Sequence, residues 1–408
     1  MIEPGEPPGR SYAGGVSQPA GRSVADRCPG VFSTHPAADG HLARIRLPGG
    51  EITGPQLETL ARVATEWGDG HLELTARANL QLRGITDVEA VAAAVTGAGL
   101  VPSASHEKIR NIEASPLSGR IGGVVDVRPM IRLLDERLRA DDRFAALSGR
   151  FLFGLDDGRG DITRRSPDVH AVARASTDHR SARPGPLADI VVGGATLGSA
   201  TGAESIVDAL LVVADAMLEV APTAWRFADL DAADQARVVE RAGKGLDPVG
   251  DGYPRPETET EPIVGWFEQD NGMVLLGSVV ELGRLPARLA EFLAAIGAPI
   301  IFTPDREILV CDLTEGVAET VVRVLAPMGL IFDASSPWAA VSCCAGAPGC
   351  SNGLAPVRED LLARVASGQE VTEREHWVGC GRGCGSPVTP HLRVEAGPDG
   401  YRTTERGQ

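Results

Sequence analysis

The chain has 408 residues, 43% hydrophobic and 23% charged, which suits two or three globular domains. Its formal net charge of −16 argues against a protein that mainly binds nucleic acid or an anionic membrane surface. No apolar run approaches the roughly 18 residues that a membrane-spanning helix needs, and the N-terminus lacks the basic and apolar regions of a secretion signal. We therefore expect a folded cytoplasmic protein.

Residues 28–100 carry the pattern of a ferredoxin-like unit with the element order βαββαβ. The preceding residues 1–27 are rich in Gly, Pro and Ser and predict a flexible tail. Thr53 and Gln56 have the spacing of a capping box, which predicts the start of the first helix. The predicted elements are a strand at 41–47, a helix from 53, strands at 71–75 and 80–84, a helix at 87–98 and one further short strand.

The same order of elements recurs in residues 262–333. Thr75 and Arg77 at the first strand pair have counterparts in Thr303 and Arg306 at the second, although the Thr-to-Arg spacing differs by one residue. The predicted elements of this copy are a strand at 273–276, a helix at 285–296, strands at 299–303 and 308–311 and a helix at 319–328. The repeat predicts two similar units.

Each unit is followed by a longer segment with further helix and strand patterns. The fold prediction is therefore α+β, with duplicated ferredoxin-like half-domains that alternate with a second type of domain in the order A-B-A′-B′. The predicted divisions are a tail at 1–27, a half-domain at 28–100, an α/β domain at 101–242, a linker at 243–261, a half-domain at 262–333 and a cysteine-containing domain at 334–408.

Four cysteines of the last domain have the spacing of a metal site. Cys344 and Cys350 are separated by five residues, and Cys380 and Cys384 by three. Four thiolates approached by Gly-rich backbone can enclose one 4Fe-4S cluster. Structural zinc is one alternative, although its cysteine pairs are usually two to four residues apart, and unligated thiols are the other.

The remaining cysteines and the nearby histidines are interpreted as structural residues. The tripeptide Gly158-Arg159-Gly160 with Asp161 is interpreted as a turn, because two glycines alone do not define a phosphate site. The residues interpreted as structural are Cys28, Cys311, Cys343, His71, His106 and His376.

Together these features resemble the nitrite and sulfite reductase superfamily. The similarity rests on the Cys-x5-Cys and Cys-x3-Cys motifs, preceded by two half-domains with Thr/Arg strand pairs. Within the superfamily the chain is most similar to the precorrin-3B synthases of aerobic cobalamin biosynthesis. The residues that carry this similarity are Cys28 to Gly30, Arg44 to Gly50, Leu74 to Gly84, Arg110 with Asn111, and Ser115 with Pro116.

The resemblance implies an oxygen-dependent monooxygenase that converts precorrin-3A to precorrin-3B by hydroxylation and lactone formation. It implies O2 and NADH or NADPH as co-substrates, an electron-donor protein, and a second iron, sirohaem or mononuclear non-haem, to which Cys384 bridges the cluster. The alternatives are a sirohaem-dependent sulfite or nitrite reductase and a non-catalytic iron–sulfur carrier or tetrapyrrole-binding protein. The reductases have a lysine pair near residues 150–154, where this chain has none.

Substrate contacts are predicted among the arginines. A partly reduced tetrapyrrole carries peripheral carboxylates, which planar guanidinium groups bind with two hydrogen bonds. The residues that the resemblance places near such a macrocycle are Arg77, Arg83, Arg110, Asn111 and Arg306, with Asn79 and Gln81 as further polar contacts. No catalytic acid or base is identified.

Overall fold

A computed structural model describes residue 26 and residues 28–175, 185–248 and 261–406 of the chain. These residues form an α+β fold with four sheets. Among them, no helix combines the length and the apolar character needed to span a membrane. The predicted tail, apart from Asp26, and residues 249–260 of the predicted linker lie outside the described residues.

The first ferredoxin-like unit has the predicted strand pair and both predicted helices. Its elements are β1 (His35–Ala37), β2 (Gly40–Ile45), β3 (Glu51–Ile52), α1 (Gly54–Trp67), β4 (His71–Leu74), β5 (Leu80–Ile85) and α2 (Val88–Gly97). Helix α1 begins with the predicted capping box, in which the Thr53 hydroxyl accepts from the Gln56 amide and the Gln56 side chain accepts from the Thr53 amide. Alternation along β2, β4 and β5 buries one face of the sheet against the helices.

The second module is a five-stranded mixed sheet with helices packed on it. Its elements are β6 (Ile112–Ala114), α3 (Arg128–Ala140), β7 (Phe153–Asp156), β8 (Val169–Arg174), β9 (Leu187–Val192), β10 (Ala195–Thr201), α4 (Ala203–Val220) and α5 (Ala232–Ala242). The strand order is β10-β9-β8-β7-β6, with β6, β7 and β8 parallel and β9 antiparallel to β8. This module has its own hydrophobic core.

The third module repeats the first, element by element. Its elements are β11 (Gly265–Glu268), β12 (Val274–Ser278), β13 (Arg284–Pro286), α6 (Ala287–Ala295), β14 (Ile300–Phe302), β15 (Ile308–Leu313) and α7 (Glu315–Leu325). Helices α1 and α6 pack against each other, and the apolar residues of both units form one continuous core.

The two ferredoxin-like units exchange edge strands. Strand β3 of the first unit pairs with β14 of the second, with Ile52 opposite Ile300. Strand β13 of the second unit pairs with β4 of the first, with Leu285 opposite Leu72. The resulting sheet orders are β1-β2-β5-β4-β13 and β11-β12-β15-β14-β3, so each sheet is completed by the other unit.

This exchange changes one detail of the predicted βαββαβ order. The strand that follows α2 in the chain is β6, and it lies in the sheet of the second module. Both edges of the three-stranded centre are already occupied, that of β2 by β1 and that of β4 by β13. The ferredoxin-like sheet is therefore closed by a strand from the other half of the chain.

The fourth module repeats the central pairing of the second. Its elements are α8 (Pro337–Ala340), β16 (Val341–Cys343), α9 (Val357–Ala366), β17 (Glu375–Val378), β18 (His391–Gly397) and β19 (Gly400–Arg406). Strands β16, β17 and β18 are parallel and β19 is antiparallel, as in β6, β7, β8 and β9. The A-B-A′-B′ order predicted from the sequence is confirmed.

The exchanged strand makes Gly50 sensitive to substitution. Gly50 precedes β3 with φ +75°, and an added Cβ would lie 2.0 Å from the Phe302 carbonyl oxygen. Gly99 has a similar φ of +73° with no atom within 4 Å of an added Cβ. We expect Gly99→Ala to lower the free energy of unfolding by about 1–2 kcal/mol through backbone strain alone. Gly50→Ala should lower it further in urea denaturation, because β3 must shift away from β14; equal losses would contradict the close approach.

Candidate functional site

The outer face of the first sheet is polar and faces the cysteine-containing module. Alternation places Arg44, Glu73, Gln81 and Arg83 on this face, opposite the buried leucines of the same strands. The Arg44 guanidinium donates to Gln81 at 2.9 Å, and Gln81 donates to Glu73 at 2.9 Å. Glu73 also accepts from Arg358 of α9, which joins the sheet to the cysteine-containing module.

Three arginines at one end of this face form a cluster without carboxylate partners among the described residues. They are Arg44, Arg46 and Arg77, and we call them the arginine cluster. Arg46 is only 3% exposed, and its one hydrogen bond is to the Pro29 carbonyl oxygen at 3.4 Å. Arg77 donates to the Arg150 carbonyl oxygen at 3.1 Å. The Nε atoms of Arg44 and Arg46 are buried and have no hydrogen-bond partner.

The charges of the arginine cluster repel one another. Burial, followed by the charges of Arg44 and Arg77, lowers the pKa of Arg46 to about 9. Burial lowers the pKa of Arg77 as well; the Glu113 charge opposes this shift, and the charges of Arg226 and Arg44 add to it. Buried, hydrogen-bond-poor guanidinium groups in mutual repulsion are suited to bind a ligand with several carboxylates.

The four predicted cluster ligands come together at the ends of parallel strands. Cys344 directly follows β16 and Cys380 lies two residues after β17, so that the two cysteine loops meet at one edge of the sheet. The pKa of the Cys384 thiol is raised by burial and then by the charges of Cys344, Cys380 and Cys350. The Cys384 thiol therefore lies near the other three. It also lies near Arg44, whose pKa it affects.

Glycines create the space and the donor geometry around these thiols. An added Cβ on Gly379 would lie 3.2 Å from the Cα atoms of both Gly346 and Gly353, so three backbone segments meet without side chains. The Gly379 amide donates to the Cys344 sulfur at 3.2 Å. Backbone N–H groups directed at cysteine sulfur stabilise iron–sulfur clusters, so the donor set fits a 4Fe-4S cluster.

His376, interpreted from the sequence as structural, holds the Cys384 loop. The ring is fully buried, with Nε2 3.0 Å from the Cys384 carbonyl oxygen and Nδ1 2.8 Å from the Ser342 hydroxyl. A carbonyl only accepts, so we assign the proton to Nε2, and Nδ1 accepts from Ser342. Burial and the nearby Arg306 charge lower the pKa of His376 to about 3, which keeps the ring neutral.

Arg83 and Arg306 also contact the cysteine loops. Arg83 forms a two-bonded ion pair with Asp39 at 2.9 Å and donates to the Gly349 carbonyl oxygen at 2.6 Å. Arg306 donates to the Gly385 carbonyl oxygen at 2.5 Å. Both arginines thus have partners inside the protein. Their predicted contact with a tetrapyrrole stays a prediction.

Arg110 and Asn111 are held within the second module. Arg110 binds both carboxylate oxygens of Asp135 and donates to the Leu100 carbonyl oxygen at 3.1 Å. The Asn111 amide donates to the Lys108 and Gly149 carbonyl oxygens. These buried contacts occupy both side chains, whereas the Arg77 guanidinium donates to a single backbone carbonyl oxygen among the described residues.

The other cysteines have distinct surroundings. Cys311 is fully buried in an apolar cluster with Leu275 and Leu309, in agreement with its interpretation as a packed residue. Burial raises the pKa of the Cys343 thiol to about 12, so this neighbour of Cys344 stays protonated. Cys28 lies beside Arg44 and Arg46, with its pKa raised by burial and by Asp26.

The second module has carboxylates where the fourth has thiols. The loop after β7 reads Asp157-Gly-Arg-Gly-Asp161, and the loop after β17 reads Cys380-Gly-Arg-Gly-Cys384. Asp156, Asp157 and Asp161 are buried with oxygens within 4.8 Å of one another, and Arg159 forms an ion pair with Asp157. Burial and the Asp156 charge raise the pKa of Asp161 to about 7.

Sequence reasoning missed Arg44 and Arg46 as site residues. They occur two residues apart on a predicted strand, whose intervening residues Ala43, Ile45 and Leu47 are apolar. That alternation indicates two cations on the face opposite the core. Their lack of carboxylate partners, however, depends on which elements pack against this face, and the sequence pattern does not contain that information.

Comparison with known proteins shows which proteins the chain is similar to. Residues 35–97 match the model of the nitrite/sulfite reductase ferredoxin-like half domain. The NirA protein of Mycobacterium tuberculosis has the same fold, with a TM-score of 0.70 and 19% identity over 90% of this chain and 73% of that chain. The resemblance to the nitrite and sulfite reductase superfamily is confirmed.

Two curated relatives extend over most of the chain. A precorrin-3B synthase of a Sinorhizobium species is 26% identical over 392 residues, which cover 93% of this chain and 82% of the relative. A ferredoxin–nitrite reductase of Synechococcus elongatus is 24% identical over 404 residues, which cover 88% of this chain and 76% of the relative. The similarity to precorrin-3B synthase inferred from the sequence is therefore confirmed.

An arginine with a carboxylate partner and one without should respond differently to replacement by alanine. Arg110→Ala leaves Asp135 buried without its main partner, and we expect it to lower the free energy of unfolding by about 3–5 kcal/mol. Arg77→Ala removes a guanidinium whose pKa is lowered mainly by burial and that has no ion pair among the described residues, and it should leave stability nearly unchanged. Chemical denaturation of the two variants measures both effects. A stable Arg110→Ala protein would contradict the structural role of Arg110.

Proposed function

We propose that this protein is an oxidoreductase that acts on a tetrapyrrole, with the conversion of precorrin-3A to precorrin-3B as its reaction. The observation that carries the proposal is the arginine cluster, which lies beside Cys384 and has no carboxylate partner among the described residues. A substrate with several carboxylates supplies the missing partners. Similarity to a precorrin-3B synthase over 93% of the chain supports this choice of substrate.

The arginine cluster would bind and orient the substrate. Arg44 and Arg46 lie on the sheet and at its end, and Arg77 lies on the turn between β4 and β5. Guanidinium groups on two sides of a macrocycle fix its rotation in the site, because each acetate or propionate needs two parallel hydrogen bonds.

Cys344, Cys350, Cys380 and Cys384 would hold a 4Fe-4S cluster. When bound, the cluster supplies single electrons, and a second iron, sirohaem or mononuclear non-haem, supplies the oxygen chemistry. The protein's own contribution is to hold the thiols with the Gly379 amide and to keep His376 neutral beneath the Cys384 loop. An external electron-donor protein, with NADH or NADPH as the source of electrons, completes the proposal.

Sulfite or nitrite reduction is the second candidate, and the similarity to a ferredoxin–nitrite reductase over 88% of this chain favours it. Reduction of a small oxyanion requires proton donors near the anion. The chain contains only two lysines, Lys108 and Lys244, and the Lys108 ammonium donates to the Asp26 carbonyl oxygen at 3.4 Å. The arginine cluster stays charged at neutral pH, even with the pKa of Arg46 lowered to about 9, which suits binding of an anion more than proton transfer.

Isotope labelling separates the two functions. Purified protein is incubated with precorrin-3A, a reducing system and ¹⁸O2, and the product is examined by mass spectrometry. We expect one labelled oxygen in the product hydroxyl and no product under nitrogen. Reduction of sulfite by the same preparation, without oxygen-dependent change in the tetrapyrrole, would replace the synthase proposal with the reductase.

The cluster ligands are tested by single replacements. We expect Cys380→Ser to remove the visible absorbance of the cluster and to lower the thermal stability of the protein, because metal binding is coupled to folding. Cys343→Ala and Cys311→Ala are matched controls that should retain iron and sulfide. A Cys380→Ser protein with full cluster content would show that the ligand set is wrong.

A further inference from the structure

One arginine from each ferredoxin-like unit forms a hydrogen bond with one cysteine loop. Arg83 from β5 of the first unit reaches the carbonyl oxygen of Gly349, the residue before Cys350. Arg306, between β14 and β15 of the second unit, reaches the carbonyl oxygen of Gly385, the residue after Cys384. The contacted carbonyls thus belong to residues adjacent to one predicted ligand from each cysteine pair.

In both contacts the arginine or its ion-pair partner packs closely against a glycine of the cysteine loop. Arg83 is 5% exposed and is fixed in place by its two-bonded ion pair with Asp39. An added Cβ on Gly349 would lie 2.9 Å from an Asp39 carboxylate oxygen, and one on Gly385 would lie 3.1 Å from an Arg306 nitrogen. Glycine at both loop positions therefore permits the close approach of the Arg83–Asp39 ion pair to one loop and of Arg306 to the other.

A hydrogen bond from an arginine to a carbonyl oxygen fixes the orientation of the whole peptide plane. Because the peptide unit is planar, the N–H of the following residue points opposite to the carbonyl. The Arg83 contact thereby fixes the orientation of the Cys350 amide, which donates to the Gly346 carbonyl oxygen at 2.8 Å. The Arg306 contact fixes the Ser386 amide, which donates to the Gly383 carbonyl oxygen at 3.2 Å. Each arginine thus stabilises the turn that presents a ligand cysteine.

We propose that Arg83 and Arg306 are positioning residues for the 4Fe-4S cluster. This inference rests on the cluster of the proposed function and assigns the two arginines to its protein surroundings instead of to the substrate. Since the arginines belong to different half-domains, the geometry of the cluster depends on how both half-domains dock against the fourth module. Release of either contact loosens one cysteine loop and opens a path for loss of iron.

The test measures how fast the assembled full-length protein loses its cluster to an iron chelator. Arg306→Gln and Arg83→Lys are compared with wild type, each after anaerobic reconstitution, by the decay of visible absorbance and by released iron. Lysine keeps the charge that balances Asp39 but cannot serve both Asp39 and Gly349 with a planar fork. We expect the half-life to fall roughly tenfold in each variant, the lower end of what lost outer partners cost in metal sites.

Arg382 provides a control for charge. It is exposed within the Cys380–Cys384 loop, acts on the pKa of Cys384 through its charge, and makes no hydrogen bond within the described part of the chain. Arg382→Gln should shift the midpoint potential in an EPR-monitored titration but retain the wild-type half-life. Arg306→Gln should shorten the half-life.

The outcomes separate the positioning role from the proposed function. Wild-type protein that assembles no iron and sulfide would overturn the cluster, and the positioning role with it. A stable wild-type cluster together with unchanged half-lives in Arg83→Lys and Arg306→Gln would overturn the positioning role alone. Circular dichroism and thermal melting of the reconstituted variants establish that the comparison is made on folded protein, and Arg306→Gln tests the proposal independently should Arg83→Lys fail to fold.

Discussion

The exchange of β3 and β13 between the ferredoxin-like units is the constraint on which the rest of the structure depends. Each exchanged strand has only two or three residues, yet it fills the edge of the other unit's sheet and places α1 against α6 in a shared core. Neither sheet is complete within its own unit. The relative orientation of the two units is therefore fixed by backbone pairing, and so is the polar face that carries Arg44, Glu73 and Arg83.

Local signals in the sequence predicted the elements better than their assembly. The Thr53–Gln56 capping box, the alternation around β4 and β5 and the repeat in residues 262–333 each have a short-range physical cause, and the structure contains all three. Strand exchange leaves no such signal, because a two-residue strand such as β3 has no measurable alternation. The sequence likewise does not indicate that β6, the strand that follows α2, joins the sheet of the second module.

The candidate site follows the same division. The spacing of four cysteines indicates a metal site because ligand spacing is a local property. The hydrogen-bond partners of an arginine are not a local property, since they depend on packing between modules. Arg77, Arg83 and Arg110 look equivalent in the sequence, but the fold gives Arg83 a carboxylate and a cysteine loop, gives Arg110 a buried carboxylate, and leaves Arg77 with a backbone carbonyl.

The two halves of the chain differ chemically at equivalent loops. The loops after β7 and β17 share a Gly-Arg-Gly centre, but aspartates flank it in the first and cysteines in the second. In the first loop Arg159 forms an ion pair with Asp157 within the module. In the second half thiols take the aspartate positions, and Cys384 acts through its charge on Arg44 of the arginine cluster, which has no ion pair among the described residues. A buried arginine whose pKa is lowered to about 9 destabilises the folded state at every pH below that value, because the folded protein binds this proton less tightly than the unfolded chain does. A polycarboxylate bound at the cluster, as proposed, would reverse that effect, and its binding would then be thermodynamically linked to stability.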